Sequence, residues 1–205
     1  MANYLQIEKR VSGGHLHSVE GSKNEREGMV VTIKYEIMHE IDKVEIRRYP
    51  KIIVAKVEDP SYGFNLLYRF ITGENRQKVK VKMTAPVVSQ EIQMTSPILS
   101  ETGTMAFVMP KEFTLETTPE PLDTRVKIAE IPERLIAALC FSGGWSESHF
   151  EKETQELLNE LANEKIKTKG NVFTMLYNPP FIPGFLRRNE VAIEVEYTDN
   201  KTEIP

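Results

Sequence analysis

Apolar and polar residues alternate along the chain from Val30 onward, and this period of two predicts strands. The stretch 30–37 places its apolar side chains on one face of a strand, namely Val31, Ile33, Tyr35 and Ile37. A turn at 39–43 follows, and Pro50 then separates a second strand from an apolar run at 52–57. The pattern therefore predicts three consecutive strands before any helix.

Two segments change to the period of a helix. In the first, at 60–72, Asp59 and Pro60 are suited to start a helix and Gly73 to end it. Its apolar stripe at i, i+3, i+4 and i+7 consists of Phe64, Leu67, Tyr68 and Ile71. A second, longer helix is predicted to begin at a capping Ser146 and to turn five residues inward, namely Phe150, Thr154, Leu157, Leu158 and Leu161.

The pattern around the first proline break occurs twice. VEIRRYPKIIVAKVED at 44–59 aligns without a gap with VKIAEIPERLIAALCF at 126–141. Each copy is followed by a helix and by two further strand-like runs, at 85–90 and 104–109 in the first half and at 172–177 and 191–197 in the second. Because one such unit would leave a sheet face uncovered, the sequence predicts two units joined in one domain.

The domain is predicted to span 31–198, with pseudo-repeats at about 44–110 and 126–197. Residues 1–30, which carry paired glycines and no sustained period, are expected to form a flexible arm, and 199–205 a tail. Residues 90–102 and 110–124 are predicted to be loops.

Composition narrows the class of protein. The chain has 205 residues, a formal charge of −4 and a pI near 5.7, which argues against nucleic-acid binding through a global basic field. Cys140 is the only cysteine, so no internal disulfide forms, and its apolar surroundings predict a buried thiol. No signal peptide or run of about 20 apolar residues is present, so we expect a cytoplasmic protein that does not enter membranes.

The chain offers no catalytic or metal-binding motif of the common kinds. His149 falls in the first turn of the second helix, where a capping role is favoured over a ligand role. The carboxylates are scattered, with no pair spaced for acid and base roles. We therefore expect a protein that is not an enzyme.

Two stretches are candidates for binding. Phe181, Ile182 and Phe185 lie in a proline-rich loop, where exposed apolar side chains either cover a binding groove or plug one end of the fold. Residues 76–83 alternate lysine with apolar residues. If extended, they present Lys78, Lys80 and Lys82 on one face, as an anion-attracting rim or as a solvated sheet edge.

Three segments resemble one known family. YEIMHEIDKVEIRRYP, GENRQKVKVKMTAPV and YNPPFIPGFLRRNEV are similar to segments of the SOUL haem-binding protein family, and the resemblance runs from about Tyr35 to Val195. It implies a distorted antiparallel β-barrel of two strand-helix-strand-strand repeats with the helices packed on the outside. It also implies non-covalent binding of haem or another tetrapyrrole without catalysis. Similar folds occur in drug-sensing domains of bacterial regulators, which bind flat hydrophobic cations.

The resemblance also implies a place for the ligand. The family's proposed groove lies between the first helix and the loop before the last strand, which assigns Phe64 and Tyr68 to one wall and Phe181 and Ile182 to the other. Arg187 and Arg188, or the three lysines, would pair with the two propionates. The alternative for the helix stripe is that it simply faces the core.

One position departs from the family. Some members carry a histidine, proposed as an iron ligand, where this chain has Arg48. Arginine does not ligate iron because it stays protonated. Either Tyr68 or His39 reaches the metal, or apolar contact alone holds the porphyrin, which is our expectation. The substitution also motivates a second hypothesis, a small-molecule sensing or protein-interaction module on the same fold without haem affinity.

Overall fold

The computed structural model describes residues 31–58, 60–90, 103–179 and 181–198. The predicted arm at 1–30, the predicted tail at 199–205, the proposed helix start at Asp59 and nearly all of the predicted loop at 90–102 lie outside these ranges. Among the helices described, none combines the length and the apolar character needed to cross a membrane.

The order of elements follows the sequence pattern closely, and the predicted α+β class is confirmed. Both predicted helices are present: the first lies within one residue of its expected bounds, and the second begins directly after Ser146 as expected. The elements are β1 (Val31–Thr32), β2 (Glu36–Ile41), β3 (Val44–Tyr49), β4 (Ile52–Glu58), α1 (Pro60–Ile71), β5 (Thr84–Gln90), β6 (Thr104–Val108), β7 (Lys127–Ile131), β8 (Arg134–Phe141), α2 (Glu147–Asn163), β9 (Lys167–Leu176), a short 3-10 helix (Gly184–Leu186) and β10 (Asn189–Glu196).

The strands form one mainly antiparallel sheet in the order β2-β3-β8-β10-β9-β5-β6-β4-β7, with β1 parallel to β5. Within the described residues, β2 and β7 at the two ends each pair with a single neighbour, so the sheet is open where we predicted a barrel. The two end strands expose charged residues, Glu36 and Glu40 on β2 and Lys127 and Glu130 on β7. Charges of this kind keep a sheet edge from pairing further.

The strand order is symmetric about the central β5-β9 pair when the two predicted repeats are compared. On one side, β9, β10 and β8 of the second repeat are followed by β3 of the first. On the other side, β5, β6 and β4 of the first repeat are followed by β7 of the second. A duplicated unit would produce this arrangement, and the duplication itself stays a prediction.

The first predicted strand, at 30–37, is wrong as a single element. Its start pairs with β5, whereas β2 begins at Glu36 and pairs with β3. Ile33 and Tyr35 pack into the core between the two halves, while Ile37 is exposed. Alternation alone could not reveal the split, because both parts follow the same period and bond to different neighbours.

Both helices pack on one face of the sheet. Helix α2 covers β3, β8 and β10, whereas α1 covers β4 and β6. Leu67 and Ile71 of the predicted stripe face this core, as do Leu157 and Leu161 of the second helix. Gly73 ends α1 with a φ of +116°, and the Glu74 amide donates to the Arg69 carbonyl, as expected of a glycine at this position.

The opposite sheet face is filled by side chains of both halves. A void on this face has a volume of only about 10 Å³. It is lined mainly by apolar residues, among them Ile33, Val88, Ile136, Phe173 and Met175. A space of this size holds at most a single water molecule, so these described side chains form a packed core.

Helix α2 contains a buried hydroxyl without a partner. Ser146 stands at its N-cap but its side chain makes no capping hydrogen bond, contrary to prediction. Thr154, in contrast, is fully buried beside Leu157 and Leu161, and its Oγ1 has no hydrogen-bond partner among the described residues.

Replacing this hydroxyl should stabilise the protein. For Thr154→Val we expect the free energy of unfolding to rise by about 1 kcal/mol, because valine has the same shape and a similar helix propensity but no unpaired polar atom. Urea unfolding followed by circular dichroism measures the change. Thr154→Ala is the control, since it also removes the hydroxyl but leaves a void, and it should be less stable than Thr154→Val. A valine variant less stable than the wild type would show that the hydroxyl has a partner.

Candidate functional site

Helix α1 exposes two stacked aromatic rings to solvent. Phe64 and Tyr68 are 45% and 49% exposed, and their ring centroids lie 6.1 Å apart at an interplanar angle of 10°. The edge of the buried Phe107 ring supports Phe64 at 5.4 Å. Of the two alternatives for the stripe, the core-facing one therefore holds for Leu67 and Ile71 but not for this pair.

Between α1 and the predicted loop lies a part of the sheet around β5; among the described residues, α1 packs mainly on β4 and β6 and α2 on β8, β9 and β10. Strand β5 lies next to β6 and pairs with β9, whose end leads into the loop at 177–188. Val87 packs against the α1 core and stands directly opposite Leu176 of β9. Directly paired residues project on the same side of a sheet, so Val87 and Leu176 form a floor between α1 and the loop. We call this region the inter-helix face.

The loop before β10 is fastened to the turn before α2 and exposes two of its apolar side chains, Phe181 and Phe185. Phe181 and Phe185 are 81% and 76% exposed, so they do not plug the fold, and Ile182 is half-buried. The Gly143 amide donates to the Gly184 carbonyl at 3.0 Å, which fastens the loop to the turn before α2. The loop thus presents a fixed apolar surface.

The two predicted arginines have different environments. The Arg187 guanidinium lies 4.3 Å from the ring centre of Trp145, and its Nε donates to the Ile182 carbonyl at 2.7 Å. Arg188 instead donates to Glu190 at 2.7 Å and stacks on Tyr177 at 4.2 Å. Arg188 is therefore already committed to a carboxylate of its own chain.

Glu190 is the centre of a buried polar network that the sequence reasoning missed. Arg47 binds it with two parallel hydrogen bonds of 2.8 and 3.0 Å, and the two side chains are 1% and 0% exposed. The Tyr177 hydroxyl donates to the same carboxylate at 2.9 Å, and Tyr35 lies under the Arg47 guanidinium at 4.4 Å. The available local signal was weak: each charged residue stands next to one buried apolar residue, Arg47 beside Ile46 and Glu190 beside Val191.

In this network, charge pairing affects the pKa values more strongly than burial does. Burial alone would raise the pKa of the Glu190 carboxyl, but the hydrogen bonds and charges of Arg47 and Arg188 hold that pKa below its usual range. Burial likewise opposes the charged form of both arginines, and Glu190 more than offsets it, so their pKa values are raised. All three groups stay ionised, and none is available as an unpaired charge in the interior.

Residues 76–83, for which we considered an extended conformation, are not a strand. Lys78 has a φ of +55°, and the Asn75 side chain accepts from the Val79 amide and donates to the Val79 carbonyl. This local bonding replaces a sheet ladder. Lys78, Lys80 and Lys82 are exposed nonetheless, so three cations stand in the connection between α1 and β5.

Arg48 lies on a different part of the sheet from the predicted groove. Arg48 stands on β3, and four strands lie between β3 and the β6 strand beneath α1. The Arg48 guanidinium pairs with the Glu36 carboxylate at 3.2 Å. His39 stacks on Tyr197 at 5.6 Å. The described residues contain no group of three or more histidine, cysteine, aspartate or glutamate side chains able to hold a metal ion.

Cys140 and His149 complete the sequence candidates. The predicted burial of Cys140 is wrong, because the residue is exposed near the end of β8, beyond the apolar positions of the strand. Partial burial of the thiol and then the Glu190 charge still raise its pKa, which lowers its reactivity. His149 lies in the first turn of α2 as predicted, with Nδ1 3.2 Å from the Gly144 carbonyl oxygen and Nε2 3.6 Å from Glu153.

Comparisons with known proteins agree on fold and family. The chain is similar to solved structures of the EcmrR C-terminal domain (TM-score 0.56, 11% identity, 80% of this chain and 99% of that one) and of a hydrolase from Listeria innocua (TM-score 0.53, 15% identity, 75% and 92%). These likenesses show the fold alone.

Sequence comparison gives matches that are more specific than a shared fold. Heme-binding protein 2 from Homo sapiens is 30% identical over 156 residues, which cover 72% of this chain and 75% of that protein. The Mus musculus protein of the same name is 30% identical over 58% of each chain. The model of the SOUL heme-binding protein family matches residues 30–194. The chain therefore belongs to the SOUL haem-binding protein family.

Proposed function

We propose that this protein binds haem or another tetrapyrrole non-covalently on the inter-helix face and acts as a carrier rather than an enzyme. The observation that carries the proposal is the exposed, nearly parallel pair of Phe64 and Tyr68 beside the half-buried sheet floor of Val87 and Leu176. A flat macrocycle can lie against such rings and remove apolar surface from water. Membership in the haem-binding family supports the ligand class.

The second wall of the proposed site is the loop that carries Phe181 and Ile182. Arg187 and the three exposed lysines of 78–82 are the cations that we assign to the propionates, since a guanidinium or an ammonium stabilises a carboxylate. Arg188 was predicted for the same role. It would have to leave Glu190 to fill it, which would uncover a buried charge, so we assign it to holding the end of the loop.

The iron has no ligand from the position where some relatives carry histidine, because Arg48 occupies it and stays charged. We propose that apolar contact holds the macrocycle. Haemin and metal-free protoporphyrin should then bind with dissociation constants within about threefold of one another, because the iron adds little.

The experiment is a titration of the purified protein with haemin, followed by visible absorbance, and with protoporphyrin, followed by fluorescence. For the double variant Phe64→Ala, Ile182→Ala we expect at least a tenfold weaker affinity for both ligands, since about 1.4 kcal/mol is tenfold and two partly buried apolar contacts are lost. Ile37→Ala is the matched control, because Ile37 is also exposed but lies on β2 at the far end of the sheet.

Three results would contradict the proposal. The first is an absence of saturable haemin binding to the wild type. The second is an equal loss of affinity in the double variant and in Ile37→Ala. A preference for haemin over protoporphyrin far above threefold would overturn binding by apolar contact and would point to Tyr68 as an iron ligand, since His39 lies on β2 at the far end of the sheet.

The second candidate function is a small-molecule sensing or protein-interaction module without haem affinity. The observation that favours it is Arg48. Among the described residues, the void between the two halves holds no more than a water molecule and Glu190 is neutralised by two arginines, so we place a hydrophobic cation on the outside of the sheet. Saturable binding of a planar cationic dye by a protein that ignores haemin would favour this candidate.

A further inference from the structure

A second concave region lies on the half of the molecule that carries α2. It has a volume of about 690 Å³, within the range of small-molecule sites, and it sits where the neighbouring strands β3, β8, β10 and β9 meet at one end. Helix α2 ends at Asn163, and the chain reverses at Lys165, whose φ is +56°. Because four sheet strands and their flanking turns build it, we treat this cleft as a fixed feature.

The cleft combines an apolar part with a charged part. Leu135, Val195 and Tyr197 provide the apolar surface. The Tyr197 ring is held in place by stacking on His39 at 5.6 Å with an interplanar angle of 14°. Ligands with an apolar body and a charged end match a surface of this kind.

Arg134 is a half-buried cation with a weaker carboxylate partner than Arg47 or Arg188. Its guanidinium lies 4.9 Å from the Phe173 ring centre, and its carboxylate partner, Glu194, is 3.7 Å away and also pairs with Lys169 at 3.3 Å. Arg47, by comparison, has its carboxylate at 2.8 Å. Burial therefore lowers the pKa of Arg134, and Glu194 offsets this only in part. An additional anion beside this guanidinium would stabilise its positive charge further.

Further cations stand around Arg134. Lys165 and Lys167 line the cleft and make no ion pair within the described part of the chain, and Arg48 lies 3.9 Å from Glu133. The lining holds four cationic side chains, Arg48, Arg134, Lys165 and Lys167, and two carboxylates, Glu133 and Glu196. Arg48 also pairs with Glu36 and Arg134 with Glu194, so within the described residues the two lysines are the cations of the cleft that have no ion pair. These lysines give this end of an acidic protein a local positive charge.

We propose that this cleft binds a small organic anion, with its carboxylate or sulfonate beside Arg134 and the two lysines and its apolar body against Leu135, Val195 and Tyr197. The site is separate from the inter-helix face, because it lies at the Lys167 end of β9, whereas the floor of the inter-helix face lies at Leu176, the opposite end of that strand. It would give the protein a second ligand of a different class, and it does not depend on tetrapyrrole binding.

The test uses two dyes that share an apolar skeleton, the anion anilinonaphthalene sulfonate and the neutral phenylnaphthylamine. Fluorescence titration should show saturable binding of the anionic dye. In the double variant Lys165→Gln, Lys167→Gln its affinity should fall about tenfold, because two charges near the sulfonate are lost. The affinity of the neutral dye should change less than twofold.

The matched control is Lys51→Gln, Lys111→Gln, which changes the net charge equally at exposed lysines outside the cleft. It should leave the anionic dye within twofold of the wild type. The variant Phe64→Ala, Ile182→Ala should also keep this binding, and haemin should not displace the dye, so this test can fail while tetrapyrrole binding succeeds. The proposal is overturned by an equal loss in both lysine variants, by an equal loss for both dyes, by displacement by haemin or by no binding of the anionic dye.

Discussion

Glu190→Ala should lower the free energy of unfolding by about 3 to 5 kcal/mol, one of the two largest effects that we expect of a single substitution. The change leaves the Arg47 guanidinium buried at 1% exposure without its bidentate partner. Arg188 and the Tyr177 hydroxyl lose the same acceptor. Urea unfolding monitored by circular dichroism gives the value.

A second glutamate of the same strand provides the control. Glu194 also lies on β10, but it is partly exposed and its ion pairs are longer, at 3.3 and 3.7 Å. Glu194→Ala should therefore cost less than about 1 kcal/mol, as is typical of exposed pairs. If the two variants lose similar amounts, Glu190 is not the buried centre of a charge network.

The pH dependence of stability provides an independent check of the same network. The pKa of Glu190 is held below its usual value of about 4.5, so its contribution to stability is complete above that pH and is lost as the pH falls through the folded-state pKa. Wild-type stability should therefore drop more steeply below about pH 4.5 than that of Glu190→Gln. If the free energies of unfolding of the two proteins fall in parallel with pH, Glu190 does not change its charge state over this range.

Phe107→Ala should be comparably destabilising, by about 3 to 5 kcal/mol. Phe107 is buried in the core beneath α1, and its ring edge supports Phe64 at 5.4 Å. The substitution leaves a void under the helix and removes the support of the exposed aromatic pair. Thermal or urea unfolding measures the first effect.

Two further variants serve as controls for the loss of the buried ring. Phe185→Ala removes the same atoms from a side chain that is 76% exposed, and it should change stability by less than about 0.5 kcal/mol. Phe107→Leu refills most of the void and should cost about 1 kcal/mol. A tolerated Phe107→Ala would show that the core beneath α1 relaxes around the missing ring and that Phe64 needs no support from it.

The sequence by itself determined the elements that depend on local patterns. The stripe at 60–72, ended by Gly73, predicted α1 within a residue, and the alternating runs predicted β5, β6 and β10 within two residues. Helix periodicity and glycine preference act over a few neighbouring residues, so a single sequence contains them. The motifs around YNPPFIPGFLRRNEV likewise indicated the family that the comparisons confirm.

Only the tertiary structure decided which positions meet. The stripe residues Leu67 and Phe64 follow one helical period, yet one is core and the other surface, because the width of the covered face is set by the strands below. Arg47 and Glu190 are 143 residues apart, so no local pattern joins them. The open sheet and the burial of each charge depend on long-range pairing of strands, and that pairing is a property of the assembled fold.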